Sequence, residues 1–130
     1  MFTLLAKNLN YGEGPRWHDN KLWFSDFFQH AVMTVDHSGK IEKIVEIPNQ
    51  PSGLGWLPNG DLLIVSMLDR KIMKFSNNVL SLHSDLSDLT PFRCNDMVVD
   101  KDGHAYVGNF GSLHHSKDVK PTCLIHVDPD

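Results

Sequence analysis

The chain carries only two cysteines, Cys94 and Cys123, in 130 residues. They are too few and too widely spaced for a disulfide framework or a CxxC metal knuckle, so both are expected as thiols in small packing positions. No apolar run approaches the roughly 20 residues needed to cross a bilayer, and the opening MFTLLAKNLNYGEG lacks the apolar stretch of a secretion signal. The expectation is a soluble, cytoplasmic protein without a membrane partner. The 12 basic residues are outnumbered by 16 acidic ones, for a formal charge of −4. They form no Lys/Arg cluster of the kind phosphate backbones demand, so no nucleic acid is expected as partner. There is no Gly-rich phosphate cradle, no Ser-His-Asp order and no nucleophile elbow. Helical periodicity is scarce, and this length fits one domain.

What is present is short alternating apolar runs between Gly, Pro, Asn and Asp punctuation, the pattern of an all-β chain. Strands are expected at Thr3–Ala6, Pro15–His18, Lys21–Asp26, Ala31–Asp36, Lys40–Glu46, Gly53–Trp56, Asp61–Ser66, Lys71–Ser76, Val79–Ser84, Asp96–Val99, Ala105–Gly108 and Leu124–Val127. They form a repeat. EGPRWHDNKLWFSDFFQHAVMTVDHSG, SGLGWLPNGDLLIVSMLDRKIMKFSNN and NDMVVDKDGHAYVGNFG each run strand, turn (HDN, PNG, KDG), strand and onward. A period of about 40 residues with several strands per unit marks β-propeller blades. The blades are expected at approximately 13–50, 51–93 and 94–130, with residues 2–8 as an outer strand closing a blade or exchanged with a neighbour. A β-sandwich is the other reading, but it does not call for matching polar residues where the repeats begin.

Those polar residues are Glu13, Ser52 and Asn95, which this alignment makes equivalent. The first strand of each blade lines the central channel and starts at one mouth, so the three are expected to converge there. The plainer reading is that Asn95-Asp96 is a turn cap and Glu13 lies in a Gly-flanked bend.

EGPRWHDNKLWFSD, PSGLGWLPNGDLLIVSM and CNDMVVDKDGHAYVGNFG, in this order, resemble the SMP-30/gluconolactonase/LRE-like family. The resemblance implies a metal-dependent six-bladed propeller that hydrolyses sugar lactones and related esters, of which this chain covers the first half. By position it implies that Glu13 ligates a divalent metal, that Asn95 and Asp96 lie beside metal and substrate, and that Arg93 contacts substrate. Ser52 and Asn109 join Arg93 and Asn95 as expected substrate contacts. The family's other metal ligands come from blades outside this chain, and GSLHHSKD departs from the family's GFD-like loop.

The chemistry suits these residue types. Carboxylate and amide oxygens favour a hard cation, Ca²⁺ first, then Mg²⁺ or Mn²⁺, with Zn²⁺ a further candidate although it more often takes His or Cys. Such an ion would polarise a lactone carbonyl. Arg93 could hold a sugar hydroxyl or carboxylate, and Asp96 is the nearest candidate base in the chain. Three blades cannot close a ring, so a homodimer of three plus three blades is expected, since two-fold pairing is the commonest assembly of identical chains. The alternative is a non-catalytic propeller-like binding scaffold, or a fragment lacking the second half's ligands.

Eight histidines raise the question of zinc. Adjacent residues of a strand face opposite ways, so His114-His115 is expected in a solvated loop, and His18, His30, His37, His83, His104 and His126 in surface positions. Trp17, Trp23 and Trp56 are expected to pack between blades.

Overall fold

The computed structural model describes residues 1–112 and 117–130. Strand succeeds strand without a helix among them, so none is long and apolar enough to cross a membrane. Three antiparallel meanders follow one another. The first comprises β1 (Gly12–His18), β2 (Lys21–Asp26), β3 (Ala31–Val35) and β4 (Ile41–Glu46) in that spatial order. The second repeats it with β5 (Pro51–Trp56), β6 (Leu62–Ser66), β7 (Lys71–Ser76) and β8 (Val79–Asp85). The third has three strands, β9 (Cys94–Val99), β10 (Ala105–Asn109) and β11 (Ile125–Val127). The innermost strands lie side by side, with β5 between β1 and β9. These are propeller blades.

The tight turns follow from local chemistry. Asp19 and Asn20 both adopt positive φ between β1 and β2, as a two-residue hairpin requires, and Asn77-Asn78 does the same between β7 and β8. In the third blade Asp100 Oδ1 accepts from the N–H groups of Asp102 and His104, each at 3.0 Å, which closes the KDG turn.

Blade faces meet in two cores. Val32, Ile47, Leu54, Leu62 and Ile64 pack between the first and second sheets with Trp23 and Trp56. Leu63, Val65, Ile72, Met97, Val107 and Ile125 pack between the second and third. Each fully buried Leu or Ile contributes about 2 kcal/mol. Trp23 and Trp56 meet edge to face at 5.5 Å, and the His18 ring stacks on Trp56 at 4.0 Å, so His18 is part of this packing rather than a plain surface residue. Trp17 has no second sheet against it: it is 58% exposed and lies beside the His37 ring. Cys94 is buried, and burial pushes its thiol up to about 11, whereas Cys123 is exposed rather than a packing residue.

Residues 2–8 do not form the expected strand. They run without regular structure, and Ala6 packs on the outward face of the first sheet against the cluster of Phe24, Ala31, Met33 and Val35. The expected loop at His114-His115 lies outside the described residues.

Candidate metal and substrate site

Each innermost strand carries one extra residue near its start relative to the strand beside it. The register slips between Glu13 and Arg16 in β1, between Pro51 and Leu54 in β5, and between Cys94 and Met97 in β9. A bulge re-aims the side chains around it and bends the strand, so a bulge repeated at one mouth directs three strand starts toward a common space. The ladder also corrects the sequence alignment. Gly14, not Glu13, is the counterpart of Ser52 and Asn95, while Glu13 matches Pro51 and Cys94. Gly14 sits at φ +60°, where a glycine is favoured, and this left-handed turn accompanies the one-residue offset of Glu13.

The strand starts bring Glu13, Ser52 and Asn95 together. Ser52 is buried, and its Oγ donates to Asn95 Oδ1 at 3.4 Å. Ser52 itself is fixed from below by the Ser25 hydroxyl, which donates to its carbonyl at 2.6 Å. Desolvation raises the Glu13 carboxyl above the ordinary carboxylate range, the Ser52 hydroxyl opposes it, and the charge of Asp96 adds to the rise. Glu13 Oε1 is buried and accepts no hydrogen bond. A buried carboxylate oxygen without a donor is costly unless a cation meets it.

Glu13, Asn95 and Arg93 line a cavity of about 730 Å³. Gln50 and Ser112 add polar groups to its wall, and Tyr11, Phe27, Phe28, Met67, Leu68 and Phe110 supply the apolar part. Tyr11, Phe27 and Phe28 form one aromatic cluster, with ring centroids 4.4 Å apart for Tyr11 and Phe27 and 4.6 Å for Phe27 and Phe28. A cavity of this size with few polar groups on an apolar wall suits a small organic ligand.

Two expected site residues are engaged elsewhere. Asp96 is not in the cavity wall. Its Oδ1 pairs with Arg16 Nη2 at 2.7 Å and accepts from the Met97 N–H at 2.8 Å. Arg16 also donates to the Met97 carbonyl, so it ties β1 to β9 across β5. The Asn109 amide is spent within the third blade: its Oδ1 accepts from the hydroxyls of Thr90 and Thr122, and its Nδ2 donates to the Cys123 carbonyl at 2.8 Å. Sequence reasoning missed Arg16, although it lies inside the quoted motif, because its partner is 80 residues away. It also missed Asp26, which is fully buried and accepts from the N–H groups of Asn10, Tyr11 and Gln29 and from the Gln29 amide. Asp26 thereby sets the course of the chain into Tyr11 and Glu13.

The Glu13 carboxylate and the Asn95 amide oxygen are donor types that suit a hard divalent cation. No curated protein matches the chain by sequence. Among solved structures, a gluconolactonase from Xanthomonas campestris superposes with a TM-score of 0.78 at 15% identity, covering 96% of this chain and 46% of that one. A calcium-binding regucalcin from Agrobacterium tumefaciens gives 0.69 at 18% identity, covering 84% and 43%. A virginiamycin B lyase from Staphylococcus aureus gives 0.63 at 17%, covering 91% and 41%. This chain thus spans just under half the length of each. Residues 11–130 match the SMP-30/Gluconolactonase/LRE-like region, and the chain belongs to that family.

Proposed function

We propose that the chain forms half of a metal-dependent hydrolase acting on a sugar lactone or related ester, in a soluble cytoplasmic setting. The observation that carries this reading is the buried, donor-less Glu13 Oε1 beside Asn95 in a cavity that also holds Arg93. Glu13 and Asn95 would hold the cation, Ca²⁺ before Mg²⁺, Mn²⁺ or Zn²⁺. When bound, the cation supplies polarisation of the carbonyl and stabilisation of the oxyanion. Arg93 orients substrate hydroxyls or a carboxylate through its planar fork, and the aromatic wall keeps bulk water from the reacting carbonyl. Water adds to the carbonyl carbon, its proton passes to a carboxylate, and that proton is handed to the ring oxygen as the ring C–O bond breaks, giving a hydroxy acid. Asp96 is the proposed acceptor within this chain. Arg16 occupies its Oδ1, so this role falls to Oδ2.

Three blades leave the cavity open on one side, and a second copy completes the ring. Among the described residues the third sheet has three strands where the other two have four, and residues 2–8 of a neighbouring copy are proposed to pair at its edge. One observation favours a second reading, a binding scaffold: the ion pair to Arg16 keeps the candidate base out of the cavity wall.

The test is hydrolysis of a panel of aldonolactones with Ca²⁺, Mg²⁺, Mn²⁺ or Zn²⁺ by the native chain and Glu13→Ala. Cation-dependent turnover that falls at least about 100-fold in Glu13→Ala supports the enzyme. Turnover indifferent to Glu13→Ala sinks it, and Glu13-dependent cation binding without turnover selects the scaffold.

A further inference from the structure

The third blade gathers a cluster that the mouth site does not use. Tyr106 and His126 are paired across β10 and β11, and Ala105 pairs with Val127, so His104, just before β10, stands opposite Asp128, just after β11. Strand alternation then puts His104, Tyr106, His126 and Asp128 on one face, while Ala105, Val107, Ile125 and Val127 point into the core on the other. The two imidazoles, expected as separate surface residues, converge. His126 Nε2 is 3.2 Å from His104 Nδ1, His104 Nδ1 is 3.4 Å from Asp128 Oδ1, and His126 Nε2 is 4.0 Å from the same oxygen.

We propose that His104, His126 and Asp128 form a Zn²⁺ site that clamps the edge strand β11 to β10. Donors about 2.0–2.1 Å from a tetrahedral Zn²⁺ lie roughly 3.4 Å from one another. Two of the three edges match that figure, and the third closes with a small turn of the exposed Asp128 side chain. Two imidazoles and one carboxylate are a zinc donor set, in contrast to the oxygen-only set of Glu13 and Asn95. Water takes the fourth position.

The backbone around these ligands is held in place. The His104 N–H donates to Asp100 Oδ1 at 3.0 Å and its carbonyl accepts from the Asp100 N–H at 2.9 Å. The Asp128 carbonyl is 3.2 Å from His83 Nε2 on β8. The Tyr106 ring packs against His126 with centroids 5.3 Å apart, and its hydroxyl is turned to Asp100 Oδ2. Such supporting contacts orient metal ligands before the metal arrives. The clamp also has a mechanical purpose: β11 is only three residues long and, among the described residues, pairs with β10 alone.

Equilibrium dialysis of the intact chain against Zn²⁺, with Ca²⁺ in excess to occupy oxygen sites, reads this directly. One equivalent is expected in the native chain and in Glu13→Ala, with affinity at least about 100-fold weaker in His104→Gln and His126→Gln. The substituted side chains are partly or largely exposed, and circular dichroism checks that each variant folds. Zn²⁺ is also expected to raise the melting temperature of the native chain but not of His126→Gln. The proposal is overturned if the native chain takes up no Zn²⁺, or if both glutamine variants bind it as the native chain does. Loss of Zn²⁺ in Glu13→Ala alone would move the site to the channel mouth and equally overturn it.

Discussion

Burial holds the Glu13 carboxyl above its ordinary range, with desolvation the leading cause. A carboxyl favoured in its neutral form stabilises the fold below the unfolded-state pKa, and that contribution is lost as pH rises through the raised folded-state value. Without divalent cations, the native chain is therefore expected to lose stability relative to Glu13→Gln across this window, read as melting temperature against pH. Added Ca²⁺ should reverse the trend in the native chain and leave the variant unmoved, because only an ionised Glu13 gains a ligand. A flat difference between the two proteins across that pH range would show that Glu13 titrates normally. That Glu13, Asn95 and Arg93 converge on one cavity was legible, because each lies at the start of a repeat in a short polar motif. Arg16, Asp26 and the spent amide of Asn109 were not, since their roles depend on partners distant in the chain and on burial that only the packed sheets create.

At the scale of elements, eleven of the twelve expected strands formed near their expected places, because alternation and turn residues are local signals. Thr3–Ala6 did not, since alternation says nothing about whether a partner strand exists. The repeated bulge was equally hidden, and with it the offset of Glu13, because a ladder slip leaves no mark on one strand alone. The bulges also bring β5 and β9 into close backbone contact. A Cβ on Gly53 would collide with the Met97 backbone nitrogen and stand 2.8 Å from the Asp96 carbonyl carbon. Gly53→Ala is expected to destabilise the fold by at least about 2 kcal/mol and to displace Asn95 and Asp96, so cation binding should fall with it. Gly60→Ala is the comparison: its Cβ meets nothing within 4 Å, and only its φ of +90° is strained, for about 1 kcal/mol. Chemical denaturation of the two variants side by side distinguishes packing from backbone strain. Equal losses would mean that β5 and β9 move apart to admit the extra carbon.

Across the whole molecule, the repeat legible in the sequence gives the blades but not what faces their open sides. The first sheet turns Trp17 outward and the third turns Val98 and Tyr106 outward, with Trp17 and Val98 each 58% exposed. In a two-fold ring, the outward face of the first blade in one copy meets that of the third blade in the other, so the same pair of faces meets twice. Such paired interfaces place Trp17 against the Val98 side of the partner, and a buried Trp is the residue type that most often dominates an interface. Sedimentation at micromolar concentration is expected to give twice the 14.7 kDa of the chain. Trp17→Lys and Val98→Lys each alter a side chain that is mostly solvent-exposed within the single chain, so both should fold. Each should weaken the dimer by about 30-fold or more, in line with a loss of roughly 2 kcal/mol at a central contact. A native chain that sediments as a monomer would remove the second copy from the ring. The cavity between Glu13 and Arg93 would then have to be closed by blades of another origin for hydrolysis to proceed.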